Sequence, residues 1–391
     1  MSTNRTARTR AHCRLARFLQ LLLALVPAIE LHGAEAGAAG ASGTAPSGEP
    51  AEAALDALLL KDYRPRSIFK IKVTTVDKAR YPAIDVHTHD RNADEATITA
   101  WEGMMDEVGI AKSVMLASCA GAKFDSIVAR YRAHAAHFVL WCDFDYSHLG
   151  RPDFAQTAIA ELERCHAAGA RGIGELMDKG RGLGSSPTTF GIHIDNPLMD
   201  PLLERCAELR MPVSIHVAED AWMYEPMDKT NDGLMNASIW RVKADPGVLL
   251  HDEMVDTLEH ALQRHPRTHF IAVHLANCCS DLQRLAGLLD RFPNLQADIA
   301  ARFMELGSTP RAVSQFLEKY QDRILFGTDY ANHVNLVSIY TLFRLLETTD
   351  EHFYDPGQMQ YHWPLYAWGL SDGALRKIYR DNAQKILTAS E

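Results

Sequence analysis

The chain has 391 residues, 47% hydrophobic and 23% charged, with 40 Lys and Arg against 50 Asp and Glu for a net charge of -10. That composition is ordinary for a soluble globular protein and excludes a disordered chain or a multi-span membrane protein. The acidic balance argues against nucleic acid or an anionic membrane as partner, and the length suits one large α/β barrel of about 250 residues with extra segments.

The amino terminus reads as an address. Arginines at positions 5, 8, 10, 14 and 17 precede a short apolar run at 18–29, and Ala34-Glu35-Ala36 offers small residues at a cleavable spacing. The run is shorter than the roughly 20 residues of a bilayer span. Residues 1–36 are therefore expected to be a cleaved secretory signal, with a retained signal anchor as the alternative. An exported, periplasmic protein without stable membrane association follows from that reading. Cys13 lies before the apolar core, a poor place for lipid attachment. Residues 37–50, rich in Ala, Gly and Ser with Pro, have the composition of a flexible linker, and the linker and lead-in are expected to run to 66. A short helix is expected at 51–61, and 67–391 form a single catalytic domain. The remaining six cysteines include no C-x-x-C pair, so most read as small buried hydrophobes, although export would allow a disulfide.

Residues 83–90, Ala-Ile-Asp-Val-His-Thr-His-Asp, supply the first strand signal. A strand points alternate side chains to one face, so His87 and His89 can share a metal ion. Beyond them, short β-rich runs alternate with amphipathic stretches, the pattern of repeated βα units. Strands are expected at 112–117, 139–144, 170–176, 213–217, 270–275, 295–299 and 324–326. Helices are expected at 123–137, 154–168, 198–210, 254–264, 281–291 and 310–320. Eight strands separated by helical stretches predict an α/β fold of the (β/α)8 TIM-barrel type. The stretches 177–197 and 219–253, after the fourth and fifth strands, are too long for simple turns. They hold Gly180, Gly182 and Gly184 in one and Trp222, Tyr224 and Trp240 in the other, and are expected to form a lid or pocket wall on the C-terminal face. The glycine cluster lacks a lysine-serine ending and is no phosphate loop.

Four polar groups close other strand runs: Glu175, His216, His274 and Asp329. In a barrel these ends share one mouth, so residues distant in sequence become one cluster. Imidazoles with a carboxylate suit zinc, or a harder ion such as manganese. Each residue has a plainer reading. His216 and His274 taken singly are core histidines, Asp329 is a helix N-cap, and Glu175 is an internal salt-bridge partner or a substrate contact. Arg302 binds a substrate carboxylate or makes a structural salt bridge. His193, His251 and His333 read as loop histidines, with His333 close enough to Asp329 to reach the mouth.

Taken in order, Asp85-Val-His-Thr-His89, His216, His274, Gly327-Thr-Asp329 and the closing Lys377-Ile-Tyr-Arg-Asp-Asn-Ala383 resemble the amidohydrolase superfamily, in its amidohydrolase-related (amidohydrolase 2) branch. That branch includes hydrolases and non-oxidative decarboxylases. The resemblance implies that His87, His89, His216 and Asp329 bind the metal and that His274 acts as acid or base beside the metal-bound water; Glu175, by its place alone, is a further candidate ligand that could bridge a second metal. Some relatives hold two metals through a lysine near the end of strand four. Here Lys179 lies further along, in the loop, so one divalent ion is expected, zinc first and manganese second.

The function expected is a metal-dependent hydrolase acting on an amide, lactone or ester bond of a small molecule, with Asp329 and His274 as the catalytic pair. A non-oxidative decarboxylase of a small aromatic carboxylic acid is the second reading. A barrel that binds a ligand without turnover is the third, although it requires lost metal ligands and none is missing. Oligomeric state is left open, a homo-oligomer included.

Overall fold

The computed structural model describes residues 56–332, 336–355 and 362–390. Eight parallel strands form the barrel: β1 (Ala83–His89), β2 (Ile110–Leu116), β3 (Phe138–Trp141), β4 (Ile173–Asp178), β5 (Val213–Val217), β6 (Phe270–Ala272), β7 (Leu295–Asp298) and β8 (Ile324–Leu325). Neighbours pair in sequence order from β1 to β3 and from β4 to β8. The two runs join at a parallel bridge between Cys142 and Ile173, and Val86 N–H donates to Phe326 O at 3.0 Å where β1 meets β8. Parallel strands covered on both faces are buried on both, and β5, β6 and β7 are buried at every position, with polar Ser214, His216, Gln296 and Asp298 among their apolar residues.

Helices follow the strands as the pattern requires. Glu95–Val108 is among those not expected from the sequence. Its signals are nonetheless local: Asp94 accepts the N–H of Thr97, Gly109 closes the helix at φ 79°, and Ile98, Trp101, Met105 and Val108 form its buried stripe. The barrel interior is filled by Ile84, Val86, Val114, Leu116, Trp141, Ile271 and Leu325, together with Ala383, Ile386 and Leu387 of the helix Asn382–Ser390. Asn382 fixes that helix under the barrel floor by donating to Gln321 O at 2.7 Å and Ile324 O at 2.8 Å. Gly172 lets the Trp141 ring lie against the backbone, since a Cβ there would come within 2.4 Å of it.

Several expected boundaries move. β4 begins at Ile173 and runs to Asp178, so Glu175 lies inside the strand rather than at its end. β6 stops at Ala272, and His274 sits in the turn beyond it with φ 56°. Asp329 is no helix N-cap: it has φ 62°, donates its N–H to His87 O at 2.9 Å and leads into a short strand, β9 (Tyr330–Ala331), that pairs beside β1. The long connection after β5 contains a helix, Leu234–Trp240. Within 51–61, residues 51–55 lie outside the described residues, Asp56 is helical and a 3-10 turn follows at Leu60–Asp62, and the lead-in is tied to the barrel where Thr74 donates to Asp350. The expected signal and linker up to 55, and His333, lie outside the described residues. The six described cysteines are free, and five of them are buried. No helix among the described residues is long and apolar enough to cross a membrane.

Candidate metal centre

The two-residue period of β1 sends His87 and His89 to the same point, with their Nε2 atoms 3.2 Å apart. Asp329 Oδ1 arrives from the end of β8, 3.5 Å from His87 Nε2 and 3.2 Å from His89 Nε2. Glu175 arrives from β4, with Oε1 3.8 Å from His87 Nε2 and Oε2 3.6 Å from His89 Nε2. Ligand atoms that each lie about 2.1 Å from one ion are spaced roughly 3 to 3.5 Å from one another, so this donor set is close to the size of a single divalent site. His274 Nε2 faces the same group, 3.6 Å from Glu175 Oε1 and 3.8 Å from Asp329 Oδ2. His216 stands behind Glu175, with Nδ1 2.8 Å from Oε1, while its Nε2 makes no hydrogen bond and lies 3.7 Å from Glu219 Oε2.

Outer contacts aim these rings. His89 Nδ1 lies 3.2 Å from Leu116 O and His274 Nδ1 lies 2.8 Å from Ala300 O. A carbonyl only accepts, so both rings carry the proton on Nδ1 and turn a lone pair at Nε2 towards the cluster. Asp298 does the same for His87, with Oδ2 3.1 Å from Nδ1. Its Oδ1 accepts the N–H groups of His274 at 2.9 Å and Ala300 at 3.1 Å. Asp85 accepts from His87 N–H and from both the N–H and hydroxyl of Thr328, which locks β1 to the turn that presents Asp329.

Above the cluster opens a cavity of about 280 Å³ whose wall includes Lys179, Glu219, Met223, Trp240, Arg302 and Tyr330. Lys179 pairs with Glu219 and lies 5.2 Å from the centre of the Trp240 ring. Arg302 is buried at the wall and engaged: Nε donates to Asn277 Oδ1 at 3.0 Å and lies 3.1 Å from Asp220 Oδ2, and Nη1 donates to Ala301 O.

Residues 79–388 match the amidohydrolase (Amidohydro_2) family. The chain belongs to that family. No curated protein matches it in sequence. Among solved structures, a candidate amidohydrolase from Staphylococcus aureus is 17% identical with a TM-score of 0.51, over 78% of this chain and 99% of that one. A 2,6-dihydroxybenzoate decarboxylase from Rhizobium is 15% identical with a TM-score of 0.46, over 80% and 100%. A dihydroxybenzoic acid decarboxylase from Polaromonas sp. JS666, solved with manganese and 2-nitroresorcinol, is 15% identical with a TM-score of 0.48, over 80% and 98%.

In this amidohydrolase, the expected site residues His87, His89, Glu175, His216, His274 and Asp329 come together, and Arg302 lies on the cavity wall beside them. His193 and His251 do not join them: His193 bonds Asp178 at 2.8 Å, and His251 Nε2 lies 2.8 Å from Asn277 O. The cluster is charged like a cation site. Burial opposes charge on His87, but Asp298, then Asp329 and Glu175, raise its pKa to about 10. Burial likewise opposes ionisation of Glu175 and Asp329, yet the neighbouring histidines hold both well below the usual carboxylate range. His274 is pushed down, by burial first and then by Arg302. Burial also works against Glu219, but His216 and Lys179 keep it at about 2.

Sequence reasoning missed Asp298, Glu219 and Lys179 as parts of the site. Asp298 did leave a signal, an acid inside an otherwise buried strand, where an unpaired charge is costly.

Proposed function

We infer that this amidohydrolase is a hydrolase using one divalent ion, zinc first and manganese second, to cleave an amide, lactone or ester bond in a small molecule. The observation that carries the reading is the convergence of His87 Nε2, His89 Nε2, Glu175 and Asp329 Oδ1 at the floor of a cavity, with His274 Nε2 facing the same point. His87, His89, His216 and Asp329 would hold the ion, with Glu175 a further candidate ligand and the buried His216 Nε2 left without a hydrogen bond. When bound, such an ion would supply Lewis acidity, polarising a carbonyl and lowering the pKa of a bound water to about 7. Asp329 would accept the proton of the attacking water and pass it to the leaving group. His274, fixed through Ala300 O, would hold or return a proton at Nε2. Lys179 and Trp240 would bound the rest of the substrate.

A second reading is non-oxidative decarboxylation of a small aromatic acid. Two cations, Lys179 and Arg302, and an aromatic wall at Trp240 favour it, because together they suit a ring that carries a carboxylate. Export to the periplasm belongs to the same proposal, on the basic and apolar composition of residues 1–36.

Protein purified without chelator is expected to carry about one divalent ion per chain, lost in His87→Ala. Turnover is then measured on lactones, amides and esters, and carbon dioxide release on aromatic acids. No metal in either protein, even after incubation with zinc or manganese, would bring the non-catalytic barrel forward. Asp329→Asn should abolish turnover and leave the fold intact, and full activity in that variant refutes the role given to Asp329.

A further inference from the structure

A second and larger cavity, about 440 Å³, opens at the other end of the barrel. It lies where β2, β3 and β4 begin and beside the helix Asn382–Ser390, whereas the metal cluster lies at the strands' C-terminal ends. Its volume is within the range of small-molecule pockets.

Two independent features point to an occupant. The first is charge. Lys112, Arg132 and Arg171 all line the cavity, and among the described residues no Asp or Glu lines it. Lys112 and Arg132 pair with no acid among the described residues, and Arg171 donates only to the carbonyls of Ala170 at 3.0 Å and His166 at 3.4 Å. Arg164, by contrast, is engaged by Glu161 and Asp125. The neighbouring His166 feels the field: its pKa is pushed down by burial and then by Arg171 and Arg205.

The second feature is uncovered apolar surface. A parallel barrel normally covers both faces of its strands. Yet Val139 and Leu140, in the middle of β3, stay half-buried and line the cavity with Tyr131, Phe138 and Leu387. Three unpaired cations on an apolar cleft match a molecule with one negative head and an apolar body.

We propose that this cavity is a second ligand site, separate from the metal cluster, for a small free organic anion with an apolar tail, a medium-chain monocarboxylate. Its head would sit among Lys112, Arg132 and Arg171, and its tail along β3. The site stands whether or not the metal cluster is hydrolytic.

The test is calorimetric titration of the full chain with octanoate and with octan-1-ol. One saturable octanoate site is expected, with octanol at least about tenfold weaker, since it cannot make the charge-assisted hydrogen bonds. Lys112→Gln/Arg171→Gln should weaken octanoate roughly thirtyfold, and His87→Ala should leave it unchanged. Should the double variant fail to fold by circular dichroism, the single change at the exposed Arg132, Arg132→Gln, should still weaken octanoate about threefold. Absence of saturable heat at millimolar octanoate overturns the proposal, as does octanol binding equally well. Affinity unaffected by these neutral variants also overturns it. Loss of binding in His87→Ala would place the anion at the metal cluster instead.

Discussion

Asp298→Asn replaces one oxygen by an amide nitrogen at the support of the metal cluster. Asp298 is fully buried, and its two oxygens face three N–H groups: His87 Nδ1 at 3.1 Å, and the backbone of His274 and Ala300 at 2.9 and 3.1 Å. The two backbone donors cannot turn away, so an asparagine must keep its oxygen there and aim its NH2 at His87. His87 Nδ1 then has to accept, which moves the ring proton to Nε2, the atom that points at His89, Glu175 and Asp329. The wrong tautomer faces the ion. Loss of such an outer hydrogen bond weakens metal binding about 10- to 100-fold, or about 1.4 to 2.8 kcal/mol. The assay is competition against a chromophoric chelator for zinc and for manganese, on metal-free protein shown to be folded by circular dichroism. Affinity within twofold of wild type in a folded variant would refute the claim that Asp298 orients His87.

Other variants test the frame. Glu161 is held at about 2, chiefly by Arg164 and, against burial, by Gly121 N–H. A depressed carboxyl contributes stability above its unfolded value near 4.5 and loses it as pH falls towards 2. Glu161→Gln should therefore cost about 1 kcal/mol at pH 7, allowing for solvent screening, and clearly less at pH 3. Equal costs in urea unfolding at the two pH values would contradict this. Asn277, fully buried, accepts from Arg302 Nε at 3.0 Å and donates to Val217 O at 2.9 Å. Asn277→Ala leaves Arg302 only Asp220 and the Ala301 carbonyl, strands the Val217 carbonyl, and should cost about 1 to 3 kcal/mol, seen as a lower Tm; a shift under one degree would be inconsistent with that clamp. Gly172→Ala forces a methyl against Trp141 and should cost about 1 to 3 kcal/mol. An unchanged urea midpoint would show that the ring can move aside.

The order of strands and helices, and the polar groups that reach the barrel mouth, were legible because they are written locally. Period two in β1 puts His87 and His89 on one face, and apolar runs separated by amphipathic stretches specify a parallel barrel whatever their neighbours do. Boundaries were less legible. His274 looked like the end of a strand because Phe270 to Leu275 are all buried, but burial continues into the left-handed turn after Ala272. Only the tertiary structure decided which atoms meet. Asp298 orients a histidine 211 positions away, and Asp85 holds Thr328 across 243. Glu219 gains Lys179 and His216 only when the connections after β4 and β5 fold over the same mouth. Such pairs depend on barrel closure and strand register, which are set by packing summed over the whole core. A run of residues encodes its own direction and burial; it does not encode the address of its partner.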